Sequence, residues 1–155
     1  MVKNVLNTLR KKQKNNKGFS LVELIVVIAI MAVLVGILAP QLIKYVEKSR
    51  EATDIQNCDS IVTALKSYYA DKDTLPTTVT VVLTSSNITL QEDSTASTEP
   101  LSDSGLATAK LKGKKWDGIT ITYTPANGTV AYSITNGTNA YYEVKAGNDT
   151  QIVAK

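Results

Sequence analysis

KGFSLVELIVVIAIMAVLVGILAP, residues 17–40, is the stretch of sequence that decides the fold. From Leu21 to Ala39 every residue is apolar except Glu23. A run of about 20 apolar residues is long enough to cross the hydrocarbon core of a bilayer as an α-helix. The sequence therefore predicts a membrane-spanning helix near the N-terminus.

Glu23 interrupts this apolar run and needs an explanation. A charged side chain in a spanning helix costs about 2.5–3.5 kcal/mol on insertion scales, and such residues usually serve a function or pair with a partner. One interpretation is a signal-anchor helix whose glutamate lies close enough to the interface to reach water. The other is that Glu23 meets a positive partner when two such helices pack together in lipid.

The residues Lys17-Gly18-Phe19-Ser20-Leu21-Val22-Glu23-Leu24 resemble the processing signal of type IV pilins and pseudopilins. In that family a basic leader ends in glycine, phenylalanine follows, and glutamate stands at the fifth position of the mature chain. Pro40 also falls where the family usually carries a helix-interrupting proline. The resemblance covers residues 17–40 and, more loosely, the helix beyond them, but not the C-terminal half.

The resemblance implies a specific maturation and assembly. A prepilin peptidase would cut between Gly18 and Phe19 and methylate the new amine of Phe19. Glu23 of one subunit would then neutralise the Phe19 amine of a neighbour in a filament. An ordinary signal peptidase is not expected to cut after Ala39, because Pro40 follows it and the bulky Ile37 stands where a small residue is required.

The charge is distributed unevenly along the chain. The net charge is +3, but six of the 17 basic residues lie in residues 1–18 without any acid, which leaves 11 against 14 acids, about −3, for the rest. Basic residues that flank a span stay in the cytoplasm. The sequence therefore predicts a single-pass precursor in the inner membrane, with its N-terminus inside, and gives no reason to expect a specific nucleic-acid partner.

The chain contains one cysteine, Cys58, and no histidine. No intramolecular disulfide is possible, a departure from many Gram-negative pilins that favours a Gram-positive type of pilin. Without histidine, imidazole metal ligands and histidine-based nucleophilic catalysis are excluded. We find no catalytic set, no cofactor motif and no metal-binding loop, so the sequence predicts a protein that is not an enzyme.

Four segments are expected: a cleaved leader (1–18), an apolar helix (19–40), its amphipathic continuation (41–72) and a β-sheet head (73–155). Pro40 lacks the N–H that would bond the carbonyl of Gly36, so we expect a bend or a loosened turn there. Beyond Pro40 one apolar stripe is predicted to pack against a sheet, formed by Ile55, Cys58, Val62, Leu65 and Tyr69. The charged residues of this part are expected to face water, namely Lys44, Glu47, Lys48, Arg50, Glu51 and Asp54.

The head is rich in residues that favour β-structure. Strands are predicted at 77–83, 88–90, 119–124, 129–135 and 140–145, a loop at 91–100 and a short helix at 101–109. Asn127-Gly128 and Asn136-Gly137 are typical of hairpin turns, which predicts an antiparallel meander on the helix. The basic and aromatic cluster of Lys110, Lys112, Lys114, Lys115 and Trp116 is either a contact for an anionic surface or a solvated turn with a folded-in tryptophan; the second interpretation is favoured.

The sequence thus predicts an α+β pilin fold and a structural subunit of a type IV pilus that serves adhesion, motility or DNA uptake. Its expected partners are further copies of itself in a helical filament, a prepilin peptidase, an assembly platform protein with its ATPase, and the membrane. One alternative is a pseudopilin of a type II secretion or competence system. The other is a membrane-anchored surface-binding domain that does not polymerise.

Overall fold

The fold was analysed on a computed structural model of the chain, which describes residues 18–135, 142–145 and 151–154. It divides into two compact units, one up to Leu42 and one from Ile43 onward. The described elements form a long helix followed by a small antiparallel sheet, which confirms the α+β class predicted from sequence.

Helix α1 runs from Leu21 to Ala70, close to the predicted limits of 19 and 72. Ser20 caps its first turn: the Ser20 Oγ accepts a hydrogen bond from the Val22 N–H at 3.3 Å. Helical structure continues through Gly36 and Pro40, so the helix does not end there. The loosened turn expected around Pro40 stays a prediction.

The predicted apolar stripe of α1 is confirmed. Cys58, Leu65 and Tyr69 are buried, and Ile55 is partly buried against the same core. Ile61, which the sequence interpretation left out, is fully buried as well. This stripe packs with the inward-facing side chains of the sheet, namely Val79, Val81, Leu83, Leu90, Ile119, Ile121, Tyr123 and Val130.

The main sheet has five antiparallel strands in the order β3-β2-β1-β4-β5. Their bounds are Val79–Thr84 (β1), Ile88–Glu92 (β2), Thr95–Ser97 (β3), Gly118–Thr124 (β4) and Thr129–Thr135 (β5). The predicted alternation of β5 is present: Val130, Tyr132 and Ile134 face the core while Ala131, Ser133 and Thr135 are exposed. The hairpin predicted at Asn127-Gly128 is confirmed, with Gly128 at a φ of +71° and Thr124 paired with Thr129.

Two predictions for the middle of the head are wrong. Residues 91–100 are not one loop, because β2 extends to Glu92 and forms a two-residue hairpin with β3. Asp93 and Ser94 occupy this turn with φ values of +46° and +74°, which is the backbone sign of a type I′ turn without asparagine or glycine. The short helix α2 spans Glu99–Asp103 rather than 101–109, since the chain turns at Ser104 and Gly105.

The last strands depart from a simple meander. Strand β6 (Tyr142–Lys145) pairs with β7 (Gln151–Ala154) in a second, two-stranded sheet. Tyr142 and Ile152 of this pair pack against the common core. The predicted turn at Asn136-Gly137 and the start of the predicted strand at 140 lie outside the described residues.

Candidate functional site: the N-terminal segment and the carboxylate latch

The start of α1 holds the predicted processing and assembly residues Gly18, Phe19 and Glu23. Glu23 Oε2 accepts a hydrogen bond from the Ser20 N–H at 2.8 Å. Together with the Ser20 Oγ bond to Val22, this arrangement is a variant of the capping box, in which a glutamate in the first turn bonds back to the cap residue. Glu23 therefore has a local role that the sequence interpretation did not anticipate.

Gly18 and Phe19 precede the helix and are exposed, Phe19 to 90%. The scissile bond predicted between them thus lies in non-helical chain just before the capped turn. An exposed, non-helical segment of this kind is accessible to a peptidase.

The first half of α1 is apolar on all sides. Each of its large apolar side chains from Leu21 to Ile43 is at least 49% exposed. Within the described chain, α1 is the helix that is long and apolar enough to cross a membrane, and none of its most apolar 18-residue window is buried. Such a surface is stable in lipid or in a bundle of like helices, and not in water.

Three acidic residues of the second half contradict the sequence interpretation. Glu47, Glu51 and Asp54 were expected to face water, but Glu51 and Asp54 are fully buried and Glu47 is only 9% exposed. They occupy the same face as the apolar stripe, and Glu47 and Asp54 accept hydrogen bonds there from the segment that precedes β4.

This segment, residues 110–116, is called here the lysine loop. Asp54 Oδ1 accepts a bond from the Lys112 N–H at 2.8 Å, and Oδ2 accepts from the Gly113 N–H at 2.7 Å and from the Trp116 indole N–H at 3.0 Å. Glu47 Oε1 accepts from the Lys114 N–H. These four bonds between Asp54, Glu47 and the lysine loop are named the carboxylate latch.

The latch explains why the lysine loop contains a buried tryptophan and a glycine. Trp116 is 2% exposed, whereas Lys110, Lys112 and Lys114 point outward, which agrees with the favoured interpretation of a turn with its tryptophan folded in. Position 113 has to be a glycine because the side chains of Trp116 and Asp54 lie very close to its backbone. A Cβ at this position would lie 2.7 Å from Trp116 Nε1 and 3.0 Å from Asp54 Oδ2, closer than van der Waals contact permits.

Cys58 lies one turn beyond Asp54 and is fully buried. Burial, with smaller contributions from the nearby carboxylates of Asp54 and Asp59, raises the pKa of its thiol from 9.0 to about 12. The thiol is therefore protonated at neutral pH and serves as a small apolar side chain in the core.

The end of α1 is attached to the sheet side by two adjacent tyrosines. The Tyr69 hydroxyl donates to Glu92 Oε1 and the Tyr68 hydroxyl to Glu99 Oε2, both at 2.8 Å. Burial and the bond to Glu92 raise the pKa of Tyr69. Within the described ranges, no cluster of three or more His, Cys, Asp or Glu side chains is arranged to hold a metal ion.

A signal for the latch was present in the sequence. Positions 47, 51, 54, 58, 61 and 65 follow alternating steps of four and three residues, which places all of them on one helix face. The charges on the first three hid this continuity. The donors could not be found in this way, because the lysine loop lies 58–67 residues further along the chain.

The comparison with protein families addresses the N-terminal segment directly. Residues 13–39 match the family model for the prokaryotic N-terminal methylation motif. The chain carries the N-terminal motif of the type IV prepilins. The match includes Gly18, Phe19 and Glu23, and the prepilin motif ends one residue before Pro40.

Two curated relatives agree with the prepilin motif. The chain is 38% identical over 58 residues to the type IV major pilin protein PilA of Myxococcus xanthus strain DK1622, over 37% of this chain and 26% of that protein. It is 39% identical over 82 residues to the prepilin peptidase-dependent protein A of Clostridium perfringens strain 13, over 52% and 57%. The chain thus spans about a quarter and somewhat more than half of these relatives. No solved structure matches it significantly.

Proposed function

We propose that this chain is a structural subunit of a type IV pilus, made as a membrane-anchored precursor and polymerised through the first half of α1. The observation that carries the proposal is Glu23, the single charged residue between Leu21 and Ile43, in an exposed apolar helix that bears the prepilin motif. The subunit performs no chemistry of its own, and its role is to pack.

Processing supplies the partner that Glu23 lacks in the precursor. Cleavage between Gly18 and Phe19 creates a positively charged α-amine, which methylation retains, at the head of an apolar helix. Opposite charges about 4 Å apart attract by roughly 4 kcal/mol at an effective dielectric of about 20. The attraction offsets the cost of holding both charges away from water, so the pair fixes the register between neighbours more than it stabilises them.

We expect the subunit to pass from the membrane to the filament in the following steps. The precursor is held in the inner membrane with its N-terminus in the cytoplasm, where a prepilin peptidase acts on Gly18 and Phe19. A platform protein and its ATPase then extract the apolar helix from the membrane into a surface filament. The head, residues 73–155, covers the outside of that filament, and the helix of residues 19–40 lies in its core.

The capping bond of Glu23 makes a sharp experiment possible, because capping and charge pairing are lost in different variants. Glu23→Gln keeps an acceptor for the Ser20 N–H but removes the charge. Glu23→Val removes both. If the charge pair drives assembly, both variants insert in the membrane and both fail to form filaments, with losses of at least about tenfold in sheared surface protein.

The outcomes of this experiment separate the two roles of Glu23. Normal filaments from Glu23→Gln, with none from Glu23→Val, would assign Glu23 to helix capping and contradict the pairing. Normal filaments from both variants would show that assembly does not need Glu23, which contradicts the charge pair on which the proposal rests. Membrane fractions probed for the full-length chain provide the control for insertion.

Mass spectrometry of the exported chain tests the maturation step separately. The pilin proposal predicts a mature N-terminus at a methylated Phe19. A retained leader would instead favour a membrane-anchored binding domain. A processed chain that is absent from long surface fibres, and needed for transport of another protein or of DNA, would identify a pseudopilin.

A further inference from the structure

The contacts between α1 and the rest of the chain begin abruptly at Glu47. Every described helical residue before Glu47 is exposed, and Glu47 is the first one that is buried. The helix before Glu47 is therefore held together by its own backbone hydrogen bonds. From Glu47 onward it is also bonded to a distant part of the chain.

The segment just before this point is the weakest part of the helix. Pro40 cannot donate to the Gly36 carbonyl, and glycine itself lowers helix stability by about 1 kcal/mol relative to alanine. Outside lipid, residues 36–46 have no buried contact that would compensate. Local opening in a protein occurs where buried contacts are few.

The segment after this point is held in a different way. Opening the turns at residues 47–54 would break the four bonds of the latch and would leave the buried N–H groups of Gly113 and of the Trp116 indole without an acceptor. Hydrogen bonds to charged acceptors are about twice as strong as neutral ones, and buried donors left without an acceptor are costly. The apolar stripe packs partly at Ile55 and is fully buried from Cys58.

We propose that the carboxylate latch is a stop that sets how far α1 unwinds: opening that begins around Pro40 ends at Glu47 and does not enter the head. Without the latch the stop moves about three turns along the helix, to Cys58. This inference concerns the fold of the single chain and does not depend on polymerisation, so it stands or falls separately from the pilin function.

Hydrogen exchange of the full chain in detergent micelles tests the stop. In the wild-type protein the protection of backbone amides should rise steeply between residues 46 and 51. In Asp54→Asn, which places an amide NH₂ among N–H donors, residues 48–55 should exchange at least about tenfold faster, while residues 61–69 change by less than about threefold. Glu47→Ala removes the first latch bond and the ion pair between Glu47 and Arg50 at 3.6 Å, and it should move the rise in amide protection by about one turn.

Two control variants separate a stop from general stabilisation. Asp59→Asn changes the next acid along α1, which is exposed and accepts a hydrogen bond from the Tyr132 hydroxyl at 3.5 Å, and it should leave the rise in amide protection in place. Ile121→Val weakens the core of the head without touching the latch, so it should accelerate exchange at 61–69 and leave the step between 46 and 51. The proposal is overturned if Asp54→Asn leaves residues 48–55 unchanged, or accelerates 48–55 and 61–69 equally.

Discussion

The two halves of α1 have the same secondary structure but depend on different surroundings. From Leu21 to Val46 the helix exposes apolar side chains on every face, whereas from Glu47 to Ala70 it presents one buried face and one wet face. The first half contains a single acid, Glu23, and the second half buries three. In the first half stability must come from lipid or from other helices, and in the second half it comes from the chain itself.

The two halves also differ in how many hydrogen bonds their acids accept. Asp54 accepts three hydrogen bonds from within its own chain. Glu23 accepts one bond, from the Ser20 N–H, and keeps capacity for further donors. An acid that is satisfied locally serves the fold, whereas one with spare capacity in an apolar surface is suited to a partner.

The largest effect is expected from removal of the latch. Asp54→Ala leaves three donors without their acceptor, two of them buried, and we expect a loss of about 3–5 kcal/mol in the free energy of unfolding of the head. Denaturant unfolding followed by the emission of Trp116, the only tryptophan, measures it. Asp59→Ala is the matched control and should change stability by less than about 0.5 kcal/mol. Equal effects of both variants would contradict the latch.

A pair of isoleucines on the same helix tests the comparison most directly. Ile61 is fully buried and Ile30 is 55% exposed. Ile61→Ala should cost about 2–5 kcal/mol of head stability, because it leaves a cavity in the core. Ile30→Ala should leave the unfolding midpoint of the head unchanged when both are measured by Trp116 emission in the same detergent. A clear loss from Ile30→Ala would mean that the first half supports the head after all.

Much of this arrangement could be predicted from residues close together in sequence. The apolar run, the prepilin motif, the stripe from Cys58 to Tyr69 and the hairpin at Asn127-Gly128 each follow from local spacing and turn chemistry. The turn at Asp93-Ser94 was missed because neither residue is a strong signal for positive φ. Its geometry is set by Asp93, whose carboxylate accepts bonds from the N–H groups of Thr77 and Thr78.

The latch could not be predicted for a different reason. A carboxylate on a helix is normally assigned to water, and this assignment fails only when a distant segment brings donors to it. Three of the four donors are backbone N–H groups, which every residue except proline possesses, so the lysine side chains of the loop carry no trace of these bonds. Two residues of the loop mark the contact: Gly113, where a side chain would not fit, and Trp116, whose indole N–H is the fourth donor.

Gly113→Ala tests the latch by a change in the lysine loop instead of in the helix. The added methyl group would overlap Trp116 Nε1 at 2.7 Å and press on the Glu51 Cγ at 3.0 Å, so the loop has to shift away from the helix. We expect a loss of about 1–3 kcal/mol in the free energy of unfolding. Gly105→Ala, where the space around the Cβ is open but φ is +71°, is a control for backbone strain alone. Trp116 emission should change in the folded state of Gly113→Ala and not in that of Gly105→Ala.

The smallest expected change in stability comes from the Cys58 thiol. Its contribution depends on pH, which distinguishes it from that of the latch. Its thiol has a pKa of about 12 in the folded protein against 9.0 for an ordinary thiol, because burial disfavours the thiolate. The folded state therefore binds the proton more tightly, so this contribution to stability is complete below pH 9 and is lost as the pH rises toward 12. Between pH 7 and pH 10 the loss amounts to about 1.4 kcal/mol.

The variant Cys58→Ala isolates this contribution, since the buried tyrosines titrate in both proteins. It should lower stability at pH 7 through the lost packing, yet its stability should fall less steeply between pH 9 and 11 than that of the wild type. Free energies of unfolding from denaturant titrations at each pH give both slopes. Parallel slopes would mean that the thiol reaches water in the folded head, and the second half of α1 would then be less firmly packed around residue 58 than its burial implies.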